Sequence, residues 1–288
     1  MTFQKLNKIV LFVFIAALAV TTFGQKQVTG SWKAKYKEKQ GDKIHISFYA
    51  DDSDDDHRMG SSVKFERLQG LTKDQALAGG PVAFTLSAEA GNIDMNGTFE
   101  NQRGKGTFVF TPDPSFASAV EGMGFERISS RKLFSSAVLD VKLSLVSELR
   151  NSGLRVSDYD DVFKATIFKV DAEYINEMSR AGFENLDMEG LIQGRIFKID
   201  ADYASKVIAM GFGSQSLDEL VKFRIFKVTP EFLSEMKSEG YTNLTVEQVV
   251  QLRIFKITPE FIQEMRTKGH SNPTVEELVQ LRIRGKID

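Results

Sequence analysis

The sequence predicts an α+β protein: a small antiparallel β-domain followed by an α-solenoid of six 29-residue helix–turn–helix repeats. Three observations carry this expectation. RIFKI stands at 195–199, RIFKV at 224–228 and RIFKI at 253–257, and Arg282-Ile283 opens a fourth copy that turns into RGKID. Two residue columns keep the same step, Phe168, Phe197, Phe226, Phe255 and Gly124, Gly153, Gly182, Gly211, Gly240, Gly269, so residues 113–286 divide into six units of 29. A fixed period of this size marks stacked repeats, because one unit cannot bury its apolar face alone. Residues 25–112 lack the period and read as short alternating strands between turn residues.

The N-terminus comes first in chain order. Residues 1–24 read as a secretory signal: Lys5 and Lys8 form a basic start and Ile9–Val20 is a 12-residue apolar run. That run is short for a membrane span of about 20 residues. Cleavage after Ala19 or after Gly24 fits, and an uncleaved single-span anchor is the alternative. The chain has no cysteine, which excludes disulfides and thiolate metal sites and suits a bacterial envelope better than a disulfide-stapled secreted domain. The expected location is therefore exported, periplasmic or extracellular. Without Lys5 and Lys8 the formal charge moves from −2 to −4, a poor balance for nucleic-acid binding.

In the first half, Val28–Lys37, Lys43–Ala50, Ser62–Leu68, Val82–Ala88, Asn92–Phe99 and Gly106–Phe110 are the expected strands, and Thr72 to Gln75 opens a short helix with a capping box. About six strands suggest a small sandwich or barrel with a filled core rather than a ligand-holding barrel of about eight. Trp32 is then a core aromatic. Asp52, Asp54 and Asp56 have the spacing that opens a calcium loop, but His57 stands at the sixth position and Val63 at the twelfth. Calcium at the Asp51–Asp56 loop is accordingly not expected, and the run reads as a solvated hairpin loop.

In the second half, residues 229–257 show the unit. Thr229 caps a helix that Pro230 and Glu231 begin, Phe232, Leu233 and Met236 form its apolar stripe, and Gly240 ends it. Thr245 with Gln248 then caps a second helix, and Ser216/Glu219 and Thr274/Glu277 repeat that box. Val246, Val249, Val250, Ile254 and Ile257 make a stripe expected to be covered by neighbouring units. The alternative is a leucine-rich-repeat-like α/β solenoid in which RIFKV, rich in β-formers, is a strand. Arg284, Gly285 and Lys286 replace the apolar motif in the last unit and read as a polar closing cap. Asp113-Pro114 follows the last strand directly, so the β-domain is expected to dock on the first repeat.

Units of the form T-P-E-F-x-x-x-M-x-x-x-G-Y-x-N-L-T-V-E-x-[LV]-V-x-L-R-I, together with Ala88-Glu89-Ala90-Gly91 through Gly104-Lys105-Gly106-Thr107-Phe108, resemble repeats and β-rich segments of uncharacterised exported bacterial proteins. They also resemble repeats trailing membrane metallopeptidases of the bla-regulator type. The resemblance covers nearly all of residues 26–288 and implies architecture and an envelope location. It implies no peptidase, because H-E-x-x-H is absent and His45, His57 and His270 are scattered.

No nucleophile elbow, phosphate loop or dinucleotide fingerprint is present, so neither an enzyme nor a bound cofactor is expected. The patterned polar feature is a ladder: Arg195, Arg224, Arg253, Arg282 and Lys169, Lys198, Lys227, Lys256, beside Glu173, Asp202, Glu231, Glu260. One reading makes these cross-repeat Arg–Glu pairs that set register, each worth under ~1 kcal/mol. The other makes Arg195, Arg224, Arg253, Arg282, Lys198, Lys227 and Lys256 a stripe for an anionic partner, since stacked repeats bind along a continuous face. The expected function is a non-enzymatic envelope protein that binds another envelope protein or peptide through the repeat face. The alternative is a small-molecule sensor or carrier with an apolar pocket near Trp32, Phe48 and Phe84.

Overall fold

The computed structural model describes residues 25–51, 58–156 and 158–285. The expected signal segment, residues 52–57 of the acidic loop and Lys286 of the closing cap lie outside them. The described chain is α+β: a curled antiparallel sheet of seven strands, then a succession of helices from Pro114 to Arg284.

The strands are β1 (Val28–Lys35), β2 (Lys43–Ala50), β3 (Arg58–Lys64), β4 (Leu68–Gln69), β5 (Gly80–Ala88), β6 (Gly91–Glu100) and β7 (Arg103–Pro112), with α1 (Lys73–Ala78) before β5. Their spatial order is β3-β2-β1-β7-β6-β5-β4. The first and last strands pair at the centre, with Trp32 opposite Gly106. Alternation does what a two-residue period dictates: Val28, Trp32 and Ala34 are buried, while Thr29, Ser31, Lys33 and Lys35 face solvent. The stretch expected as one strand, Ser62–Leu68, is broken. β3 ends at Lys64, Phe65–Arg67 makes a single 3₁₀ turn, and β4 pairs with β5 at the opposite edge. Phe65 anchors this corner edge-on against Tyr36, 5.3 Å between ring centres. The capping box at Thr72 and Gln75 forms as expected.

The helices come in pairs. The first members are α2 (Pro114–Gly122), α4 (Leu143–Asn151), α6 (Ala172–Arg180), α8 (Ala201–Val207), α10 (Pro230–Ser238) and α12 (Pro259–Thr267). The second members are α3 (Ser130–Leu139), α5 (Tyr159–Phe168), α7 (Met188–Phe197), α9 (Leu217–Ile225), α11 (Val246–Ile254) and α13 (Val275–Arg284). Second members pack on one another in series, α3 on α5, α5 on α7, and so on to α13. The RIFKV segments are helical to their Arg and Ile or Phe, which excludes the strand alternative. Capping accounts for this. Ser216/Glu219, Thr245/Gln248 and Thr274/Glu277 all form reciprocal boxes that start the helix a few residues upstream.

Both helices of a unit end alike. The chain turns through a left-handed residue, and the next N–H bonds back five residues: Tyr241 to the Met236 carbonyl at 3.0 Å, Ile257 to the Leu252 carbonyl at 2.8 Å. At the first end the left-handed residue is glycine, as at Gly240 (φ 91°). At the second it is lysine, with φ of 58°, 53°, 52° and 51° at Lys169, Lys198, Lys227 and Lys256.

Sheet and helices share one core. Helix α3 lies across the buried face of the sheet, where Phe134 stacks on Phe108 at 5.1 Å and contacts Phe48 and Phe110 at 5.6 and 5.5 Å. A second tie crosses the boundary at α4, whose flanking residue Lys142 offers no side-chain cap. The Glu89 carboxylate, on the β5–β6 turn, accepts from the Leu143 N–H at 2.8 Å instead, supplying an anion at a helix start. Arg67 and Lys142 both hold Asp140 at 2.9 Å nearby.

Candidate functional site

The ladder separates into three columns with different fates. Each arginine lies over an aromatic ring on the first helix of its own pair. The guanidinium carbon is 3.8 Å from the ring centre for Arg195 on Tyr174 and 3.6 Å for Arg224 on Tyr203. It is 4.7 Å for Arg253 on Phe232 and 4.1 Å for Arg282 on Phe261. The same side chains donate to carbonyls at the end of the preceding second helix: Arg224 to Lys198 at 3.0 Å, Arg253 to Phe226 at 2.8 Å, and Arg282 to Phe255 and Lys256 at 3.2 and 2.6 Å. Arg195 meets the Asp171 carboxylate at 3.4 Å. These carbonyls are the ones a helix leaves unpaired at its C-terminus, and a cation there also matches the helix dipole.

The acidic column points elsewhere. Hydrogen bonding from its own backbone N–H and from Thr229 holds the Glu231 carboxyl below the ordinary range, and at Glu260 Thr258 and its own N–H do the same. These carboxylates complete their own helix starts, which replaces the expected Arg–Glu pairing. Burial raises the Tyr174 phenol to about 12 against the opposing charge of Arg195, so it stays protonated and donates to the Ile199 carbonyl at 3.0 Å.

Arg253→Ala is therefore expected to lower stability by about 1–2 kcal/mol, through loss of a charged hydrogen bond and ring stacking at a partly exposed site. Denaturant titration checks it, and Arg253→Lys should recover little of the loss because an ammonium lacks the planar fork. The pairing was legible in the sequence. Each ladder arginine has an aromatic 21 residues earlier, Tyr174, Tyr203, Phe232 and Phe261, while at that step Leu145 is followed by Thr166 and Phe116 by Ala137.

The lysines stay outside. Lys169, Lys198, Lys227 and Lys256 are exposed, and their ammonium groups have no hydrogen bond or ion pair among the described residues. Beside them stands a column that sequence reasoning placed in the core. Ile167, Ile196, Ile225 and Ile254 are 56%, 52%, 48% and 46% exposed, again at a step of 29. Residues one turn earlier, Ile192, Val221 and Val250, are buried, so the isoleucines sit just beyond the packed seam. The period itself was the available signal, since the same residue type recurs one place after each helix-capping arginine.

The first pair shows what this face does when covered. Phe134 and Val138 occupy in α3 the positions of Ile192 and Ile196 in α7, and both are buried, at 3% and 0% exposure, Phe134 against the sheet.

Trp32, Phe48 and Phe84 are buried in ring contact with neighbours, Trp32 meeting Phe84 edge-on at 5.3 Å and Phe99 at 5.9 Å. Among the described residues no group of three His, Asp or Glu side chains is placed to hold a metal ion. No described helix is long and apolar enough to cross a membrane. No family model matches the chain, and no curated protein or solved structure matches it either.

Proposed function

We propose that residues 113–285 form an α-solenoid that serves as the docking module of a non-enzymatic exported protein. The partner is a polypeptide segment carrying both apolar side chains and carboxylates. It covers Ile167, Ile196, Ile225 and Ile254 and pairs with Lys169, Lys198, Lys227 and Lys256. The arginines Arg195, Arg224, Arg253 and Arg282 support this face from behind. Export rests on the basic and apolar character of residues 1–24, and the resemblance to envelope repeat proteins agrees with it.

The observation that carries the reading is the isoleucine column, exposed in four successive units where the equivalent residue of the first unit is buried. Single exposed apolar residues are ordinary, but a regular line of them marks an interaction surface. The lysines add to it. A residue with a Cβ in the left-handed region costs about 1 kcal/mol relative to glycine, yet four units keep lysine there while the first helices of the units end on glycine.

Replacing Lys198, Lys227 and Lys256 together by glycine is expected to leave stability within about 1 kcal/mol per site, since relieved strain offsets lost dipole pairing and added unfolded-state freedom. The same triple variant is expected to lose partner binding. A photo-crosslinking residue at position 225, introduced in native cells, should give a discrete protein adduct that the lysine triple variant abolishes. A crosslinker at Glu235, on the first helix of the next unit, should give none. Equal labelling at both sites, or an adduct indifferent to the lysines, would sink the reading.

A further inference from the structure

The solvent face of the sheet carries a second feature. A hollow of about 720 Å³ opens there, lined by Lys33, Lys35, Arg58, Arg103, Lys105, Tyr49 and one acidic residue, Glu100. The strand register puts like charges side by side. Lys33 is directly opposite Lys105, and Lys35 directly opposite Arg103, in adjacent rows of the central β1–β7 pair. Like charges facing each other across strands are destabilising. None of these five cations has a hydrogen bond or ion pair among the described residues. Lys33 and Arg58 instead hold opposite flanks of one ring, Tyr49, at 5.1 and 5.8 Å.

We infer that this hollow is a binding site for a compact oligoanion, a small molecule carrying two or more phosphate or carboxylate groups. Two rows of facing cations form a site for such a ligand because its charges relieve both repulsions at once. Neutral threonine or serine in either row would remove the repulsion without a ligand, and such residues already occupy the neighbouring row, at Ser31 and Thr107. The hollow lies within the ~300–1,000 Å³ range of small-molecule sites. Its confinement argues against a polymer. Towards one end the facing residues become Ser31, Thr107 and then Thr29 and Val109, and towards the other the next row of β2 and β3 sets Lys43 opposite Lys64, the latter already paired with Glu66 at 3.1 Å. A long polyanion needs a continuous basic track, and this one stops at Ser31 and Thr107.

Calorimetric titration of the full chain with pyrophosphate, citrate, orthophosphate and a twelve-nucleotide thymidine oligomer tests the inference. Pyrophosphate or citrate is expected to bind one per chain, at least tenfold more tightly than orthophosphate and with affinity that falls as salt is raised; which of the two binds better separates phosphate from carboxylate ligands. Lys33→Ser with Lys105→Thr is expected to weaken that binding at least tenfold while the thermal midpoint holds or rises. Lys105→Thr alone provides the test if the double variant fails to fold. The inference is overturned by no binding of either oligoanion at millimolar concentration, by binding indifferent to both variants, or by tighter binding of the oligonucleotide. Ile225→Asp, on the helical face, should leave the titration unchanged.

Discussion

Phe134→Ala is expected to lower stability by about 4 kcal/mol, in the range found for deleting a large buried ring. The residue is 3% exposed and touches three other phenylalanines, one on β2 and two on β7, so its removal leaves a cavity that rigid strands cannot close. The effect should also be visible as lost coupling. The chain has one tryptophan, Trp32, which reports on the sheet, while far-ultraviolet circular dichroism is dominated by the helices. In the parent protein the shared core should make both probes unfold together. In Phe134→Ala the two curves should separate, because α3 is the element that joins the halves. A loss under about 1 kcal/mol, well below the cost of deleting a large buried side chain, with the curves still superimposed, would show that the sheet and helices do not depend on this contact.

Gly106→Ala is expected to be as damaging by the opposite route, overpacking. A Cβ at Gly106 would overlap the Asn96 carbonyl oxygen and come within 2.6 Å of the Gly97 Cα. Its neighbours are as constrained: a Cβ at Gly97 would stand 2.8 Å from the Trp32 ring, and one at Gly104 2.6 Å from it. Gly97 and Gly104, on two strands, thus clear the space for one indole, whose Nε1–H donates to the Asn96 carbonyl at 3.2 Å. Because the obstacle is backbone, it cannot rotate away, and a loss above ~3 kcal/mol or failure to fold is expected, at the upper end of overpacking costs. Gly153→Ala is the control. It has φ of 79° and open space around the added methyl, so it should cost only about 1 kcal/mol, from backbone strain. Thermal melts followed by Trp32 emission compare the two, and equal losses would refute the packing account.

Much of this architecture was readable from residue order alone, for a physical reason. Helix starts and stops are local. Thr245 with Gln248 and the left-handed Gly240 act through backbone groups a few residues away, so their pattern announces itself wherever it recurs. Strand alternation in Val28–Lys35 is equally local. Glycine spacing and the 29-residue step therefore determined the elements, their order and the boundary near Asp113.

What the tertiary structure decided is which side of each element meets another. Ile254 belongs to the same apolar pattern as Val250, and no local rule tells them apart; the direction from which α13 and α9 approach α11 leaves the one out and takes the other in. The arginines followed the same logic, choosing the ring of their own unit and carbonyls of the unit before over the carboxylates that spacing suggested, since a helix end presents unpaired oxygens at a fixed place. Lys33 and Lys105 are 72 residues apart, and only strand pairing sets them face to face. Sequence determined the pieces because capping and turn formation act over a single turn of chain. The surfaces were left to packing, because burial depends on neighbours that are distant in sequence.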